Sequence, residues 1–166
     1  SRNRCALIAQ SEYLHFLDDD IFIDEDFSHQ VLKSISSNPK ASIIGGKVKP
    51  IWESERPQWV TENIAEMMSV LDFGDSLLKF GEGRFNWLAG ANFIIKKTAF
   101  LYFSGFNLRL GRSSSDESLM SNEENQLLNK LVKDGGLALY DPNIVVHHYI
   151  KDSKVTRQWI MKRVAW

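Results

Sequence analysis

Apolar blocks alternate with polar punctuation along the chain, and their spacing predicts a succession of strands and helices. Cys5, Leu7, Ile8 and Ala9 form a short apolar stretch of helical character. Residues 13–17 are a compact run rich in aromatics, the length of a buried strand, and the run stops at Asp18-Asp19-Asp20. Phe27, Val31, Leu32 and Ile35 then recur at helical spacing, with Asp24 as the expected N-cap, Glu25 and Asp26 in the first turn and Asn38-Pro39 as the stop. Residues 41–48 read as a second strand in which Gly45-Gly46 marks a bulge or a close backbone approach. Pro50, Trp52, Pro57 and Trp59 predict a loop with aromatic anchors, 62–71 a helix, and 72–86, with three glycines, a loop. A third strand is expected over 91–95 and a short helix over 97–103, closed by Gly105; 107–121 is polar loop. The clearest helix is 122–133, with Leu127, Leu128, Leu131 and Val132 on one face and Gly135-Gly136 ending it. Short strands over 137–140 and 144–149 flank Asp141-Pro142, and 155–166 is a final amphipathic helix. Strands alternating with helices predict an α/β fold with a mixed, mainly parallel sheet flanked by helices.

Composition narrows the function classes. The 166 residues are 43% hydrophobic and 25% charged, enough to bury one core. A net charge of −1 argues against nucleic acid as a partner, because neutralising phosphates needs a basic surplus. The charge is uneven: residues 18–26 hold six acids, and 151–163 is basic. The basic, Trp-containing final helix reads either as ordinary packing or as peripheral contact with an anionic membrane. A single cysteine, Cys5, excludes an internal disulfide and a cysteine-rich zinc site; it suits a reducing, cytoplasmic setting. No apolar run approaches the ~20 residues that span a bilayer, and the one near the start is too short for a signal peptide. The opening Ser1-Arg2-Asn3-Arg4 leads straight into helix and strand, like the middle of a fold. The expectation is therefore that residues 1–166 are one partial domain, truncated at its N-terminus, whose exposed core surface could drive homo-oligomerisation.

Three constellations carry candidate chemistry. Adjacent carboxylates at the carboxyl end of a strand repel one another unless a cation sits among them, and ligands in open α/β sheets bind at that end. Asp18, Asp19 and Asp20 thus read as a Mg²⁺ or Mn²⁺ site for a phosphate-bearing substrate, or as a solvated turn. Glu124 reads as a general base on the face of Leu127 and Leu128, or as half of a Ser121–Glu124 capping box. His147 and His148 lie in an apolar strand and face opposite sides; either one is a metal ligand, a phosphate donor or a core histidine. Before the third strand, Gly90 would admit a substrate close to the backbone, Asn92 would bond a sugar hydroxyl, and Trp87 would stack on a sugar ring, as would Trp52 and Trp59; for each, a structural role is the alternative.

The order of these pieces resembles family 2 glycosyltransferases. Arg2-Asn3 followed by residues 11–20 resembles the stretch ending in that family's DXD motif, and Gly45-Gly46-Lys47-Val48 its next core strand. Residues 87–95, Gly105-Phe106-Asn107 and Leu110-Gly111 resemble the acceptor-side segment. Asn122-Glu123-Glu124 sits at the Glu-Asp motif, and Asp141-Pro142 through His148, then Arg157-Gln158-Trp159, at the C-terminal segment. The resemblance implies a GT-A fold and an inverting, hexosyltransferase-type transfer from a nucleotide-sugar to the hydroxyl of a glycan, lipid-linked or other acceptor, of the kind used in cell-surface polysaccharide biosynthesis. It implies Asp18, Asp20 and His148 as metal ligands, and Asp18, Asp19, Trp87, Gly90, Asn92 and His148 are expected among the residues that bind the nucleotide-sugar. Glu124 is the implied catalytic base, with Glu123 beside it. The base is Glu where Asp is usual, Gln126 replaces a common second acid, and residues 157–159 lack the Gln-x-x-Arg-Trp signature of processive synthases, so single transfer is expected. Asp18-x-Asp20 after a strand also resembles haloacid-dehalogenase phosphatases, but Phe22 stands where they carry Thr or Val. A metal-dependent phosphotransferase and an inactive carbohydrate-binding fragment are the alternatives.

Overall fold

The computed structural model describes residues 2–108, 110 and 122–164. Among the described residues, six strands make one mixed sheet. They are β1 (Tyr13–Leu17), β2 (Ile21–Ile23), β3 (Ala41–Trp52), β4 (Leu78–Lys79), β5 (Asn92–Lys96) and β6 (Leu137–Ile150), in the order β1-β5-β3-β6-β2, with β4 also on β6. The helices are α1 (Arg2–Ile8), α2 (Phe27–Ser37), α3 (Glu62–Glu66), α4 (Lys97–Tyr102), α5 (Glu123–Lys133) and α6 (Arg157–Val164). The expected mixed sheet is present. Its longest ladder, β3 on β6, is parallel, whereas the other four pairings are antiparallel, so parallel pairing dominates only at the centre.

Burial follows the residue pattern. Leu14 and Phe16 of β1 point into the core, as do Phe93, Ile94 and Ile95 of β5 and Ile43, Ile44 and Val48 of β3. These join Leu127, Leu128 and Leu131 of α5 in one large cluster. A smaller cluster of Val60, Ala65, Met68, Val70, Ile150 and Ile160 fastens α3 and α6 to the end of β6. Trp52 and Trp59 pack against this second cluster, which gives them the structural role.

The expected pair of strands around Asp141-Pro142 is one continuous strand with an irregularity. Gly46 pairs with Asp141 and the next residue, Lys47, with Val145, so three extra residues of β6 are accommodated there. Asp141 Oδ1 accepts from Asn143 N at 3.0 Å and turns the chain locally. A Cβ at Gly46 would overlap the Ile144 carbonyl, which is why glycine is needed. The Asn92 amide, fully buried, closes the irregularity by donating to Ile144 O at 3.0 Å and Lys47 O at 3.3 Å.

Two helix starts differ from the sequence reading. The N-cap of α2 is Asp26, and Asp24 instead pairs with His147 at 3.2 Å across to β6. The N-cap of α5 is Asn122 in a left-handed conformation (φ 99°), without a side-chain cap bond. Glu124 is therefore the second helical residue, outside the register a capping box requires; Ser121 lies outside the described residues.

Candidate active site

Register alone places the acidic residues. β1 ends at Leu17, opposite Asn92 of β5, so Asp18 emerges beside the turn that carries Gly90. β2 lies antiparallel to β6 with Ile21 opposite His148, and Tyr149 N donates to Asp20 O at 2.8 Å. That pairing fixes Asp20 against His148. α5 begins beneath the same turn, where Leu88 N donates to Asn125 Oδ1 (2.8 Å) and Asn125 Nδ2 returns a bond to Leu88 O (3.1 Å). The result is a cleft of about 1000 Å³ lined by Asp18, Asp19, Asp20, Trp87, Gly90, Glu123, Glu124 and His148.

On one side of the cleft, Glu123 and Glu124 are 5% and 7% exposed. Such burial is costly for two carboxylates without a partner. Arg2, at the start of α1, is that partner: Nη1 donates to Glu124 Oε1 at 2.5 Å, and Nη2 is bonded to Glu123 Oε1. Arg2 also lies over the Phe106 ring, 4.6 Å from its centroid, which fixes the guanidinium plane. Burial lowers the affinity of Arg2 for its proton, but the charge of Glu124 and its hydrogen bond outweigh that and leave the guanidinium more basic than usual. Burial, and then the neighbouring charge of Glu124, push the Glu123 carboxyl above the usual range; its Oε2 is buried without a hydrogen-bond partner among the described residues. The Glu124 carboxyl lies where a Cβ at Gly90 would stand, so Gly90 makes room for it.

On the other side, Asp20 Oδ1 lies 3.2 Å from His148 Nε2, and Oδ2 lies 3.0 Å from Lys154 Nζ. Burial raises the Asp20 carboxyl, but the hydrogen bond from Lys154 and the charges of His148 and Lys154 outweigh it, and Asp20 falls below the usual carboxylate range. Asp18 is open to the cleft yet walled by protein; burial, then the charge of Asp20, hold its carboxyl above that range. His148 is 4% exposed, with Nδ1 buried and unpartnered among the described residues. No three His, Cys, Asp or Glu side chains among the described residues are arranged as a ready-made ion cage. The donor types nevertheless fit Mg²⁺ or Mn²⁺. Such ions take one or two carboxylates plus substrate oxygens, Mn²⁺ also accepts imidazole, and a cation would relieve the burial and the Asp20 charge that hold the Asp18 carboxyl up.

The residues that the family resemblance implies converge in this cleft except Asn92, whereas His147 pairs with Asp24 away from it and Trp52 and Trp59 pack against the second cluster. Asn92 is 0% exposed and its amide is spent on β3 and β6, while its Oδ1 accepts from His15 Nε2 at 3.1 Å. It organises the sheet and does not reach the cleft. Trp87 combines both readings: it meets Phe73 edge-on at 6.2 Å and lines the cleft. Sequence reasoning missed Arg2 and Lys154 as site residues. Their carboxylate partners are 122 and 134 positions away, so no local pattern could signal them. Trp159, on the basic face read as packing or membrane contact, also lines the cleft.

Comparison with known proteins gives this geometry a family. A glucosyl-dolichyl phosphate glucuronosyltransferase of Haloferax volcanii is 23% identical over 168 residues, covering 100% of this chain and 52% of its own length. The succinoglycan biosynthesis protein ExoM of Rhizobium meliloti is 23% identical over 164 residues, covering 98% of this chain and 48% of its own. The chain thus spans about half the length of these curated relatives. GalNAc-T7, solved with UDP, GalNAc and Mn²⁺, superposes with a TM-score of 0.61 at 15% identity over 90% of this chain and 30% of that one, so the two share a GT-A fold. The family model Glycosyl transferase family 2 matches residues 1–107, well over half of the 166, and the chain belongs to that family.

Proposed function

We propose that this chain carries the diphosphate-holding and base-bearing part of an enzyme that moves one sugar from a nucleotide-diphosphate sugar to an acceptor hydroxyl, with inversion. The observation that supports this most is the convergence, in one cleft, of the Asp18–Asp20–His148 group with the Glu123–Glu124 pair. Glu124 takes the proton of the acceptor hydroxyl as its oxygen forms a bond to the anomeric carbon. On the opposite face, the bond from that carbon to the diphosphate breaks, and the diphosphate leaves with the electron pair. Arg2 holds Glu124 in one orientation. Glu123 anchors the other arm of Arg2. Asp18, Asp20 and His148 would hold a Mg²⁺ or Mn²⁺ ion, whose positive charge against the departing diphosphate is the chemistry it supplies.

Trp87 borders the Gly90 turn and offers a ring face for a sugar. For the acceptor, the name of the Haloferax relative carries glucosyl-dolichyl phosphate and that of the Rhizobium relative succinoglycan biosynthesis; a glycan or lipid-linked sugar in cell-surface polysaccharide synthesis is the class we assign. The test is release of nucleoside diphosphate from a nucleotide-sugar in the presence of a glycan acceptor. Glu124→Gln should lower kcat by about 10²–10⁴-fold, the usual contribution of a general base, and Asp20→Ala should abolish the dependence on Mn²⁺. Wild-type rates in either variant would refute the assignment.

A further inference from the structure

Lys154 ends the 3-10 turn Asp152–Lys154, which follows β6, and reaches back over the cleft to Asp20. Its Nζ, 3.0 Å from Oδ2, and His148 Nε2, 3.2 Å from Oδ1, together take both oxygens of that carboxylate. An ammonium thus occupies a coordination position that an ion on Asp20 would need. The backbone under Lys154 is fixed by other means. Asp152 N donates to Glu53 Oε2 at 2.7 Å, Ser54 Oγ donates to Asp152 Oδ2 at 2.6 Å, and Val155 and Ile160 pack into the second core cluster. The turn does not depend on the Lys154–Asp20 pair, and a pair with side chains 23% and 27% exposed contributes little to stability. The long lysine stem can swing while its backbone stays in place. Cationic side chains on mobile stems are suited to phosphate oxygens as point charges.

Resting on the sugar-transfer reading above, we propose that Lys154 is an exchangeable counter-ion of the donor site: it neutralises Asp20 in the ligand-free cleft, cedes that carboxylate to the divalent cation, and then hydrogen-bonds the donor's diphosphate. Two affinities of opposite sign follow. The ammonium competes with a cation presented alone and cooperates with a diphosphate that arrives with one. The test measures Mn²⁺ alone, by the EPR signal of the free ion, and inorganic pyrophosphate at saturating Mn²⁺, by calorimetry, on the wild-type chain and on Lys154→Ala, Lys154→Gln and Lys154→Arg. Removing the charge should tighten Mn²⁺ about tenfold and weaken manganese pyrophosphate about tenfold, the scale of one partly solvated charge contact. Lys154→Arg should keep pyrophosphate binding within about threefold of wild type, since the charge is retained. A lysine that only braced the turn would weaken both ligands or neither, and either pattern in both Lys154→Ala and Lys154→Gln overturns the proposal. A wild-type chain that binds neither Mn²⁺ nor manganese pyrophosphate would instead overturn the donor-site reading on which it rests.

Discussion

At the residue scale, two buried glutamates at the start of α5 are tolerated because each has a partner and room. Arg2 divides its guanidinium between them, and Gly90 leaves the space that the Glu124 carboxyl fills. Arg2 is thus a positioning residue, and its loss should do more than unseat α1. Arg2→Ala leaves two adjacent carboxylates in a nearly dry site, so we expect a stability loss of about 2 kcal/mol, less than for a fully buried pair because Arg2 itself is partly open to solvent. Activity should fall by at least tenfold, mainly in kcat. Gly90→Ala separates the two effects. Its added Cβ displaces Glu124 Oε1, the atom Arg2 holds, but leaves Arg2 and Glu123 paired, so denaturant melts should lose less than in Arg2→Ala while kcat drops at least tenfold. A Gly90→Ala enzyme with normal kcat would show that Glu124 needs no defined position.

At the scale of elements, β6 does the most to build the site. Its irregularity between Asp141 and Val145, closed by Asn92, sets the register that brings His148 opposite Ile21 and hence beside Asp20. Asn92→Ala strands the carbonyls of Lys47 and Ile144 and should cost about 2–3 kcal/mol in chemical denaturation. His15 joins the same knot, stacked on Phe27 at 5.4 Å and bonded to Asn92; burial holds its pKa below the ordinary 6.5. The unfolded chain therefore takes up a proton at higher pH than the folded one. The His15 contribution is intact above about pH 6.5 and is lost as pH falls through the lowered folded value. Melting temperature followed from pH 7.5 to 5 should fall more steeply in wild type than in His15→Gln.

The same elements show how far residue pattern reaches. β1, β3, β5 and α5 were legible because their apolar spacing is local, and Asp18, Asp20, Glu124 and His148 stood out through the order of motifs around them. β2 was not legible: Phe22 and Ile23 are exposed, and the strand exists only because β6 offers an edge. The strand holding Asn92 and the bulge at Gly45-Gly46 were legible, but the role of the Asn92 amide was not, since its partners lie 45 and 52 positions away.

At the scale of the whole molecule, the sheet and α5 deliver two charged groups to opposite sides of one cleft, and the second core cluster carries α6 and Lys154 over it. The Asp18–Asp20 side is left with unfavourable carboxylate repulsion. A cation that binds the folded chain alone should stabilise it by mass action. Saturating Mn²⁺ should raise the melting temperature of wild type by several degrees and leave Asp18→Asn/Asp20→Asn unmoved. Pulsed EPR of Mn²⁺ bound to the chain with a nucleoside diphosphate asks whether this cleft holds a metal-bound diphosphate opposite Glu124. We predict a ³¹P coupling from the diphosphate together with a ¹⁴N coupling that disappears in His148→Ala. A Mn²⁺ signal with no nitrogen coupling, or one unaffected by that substitution, would contradict the account.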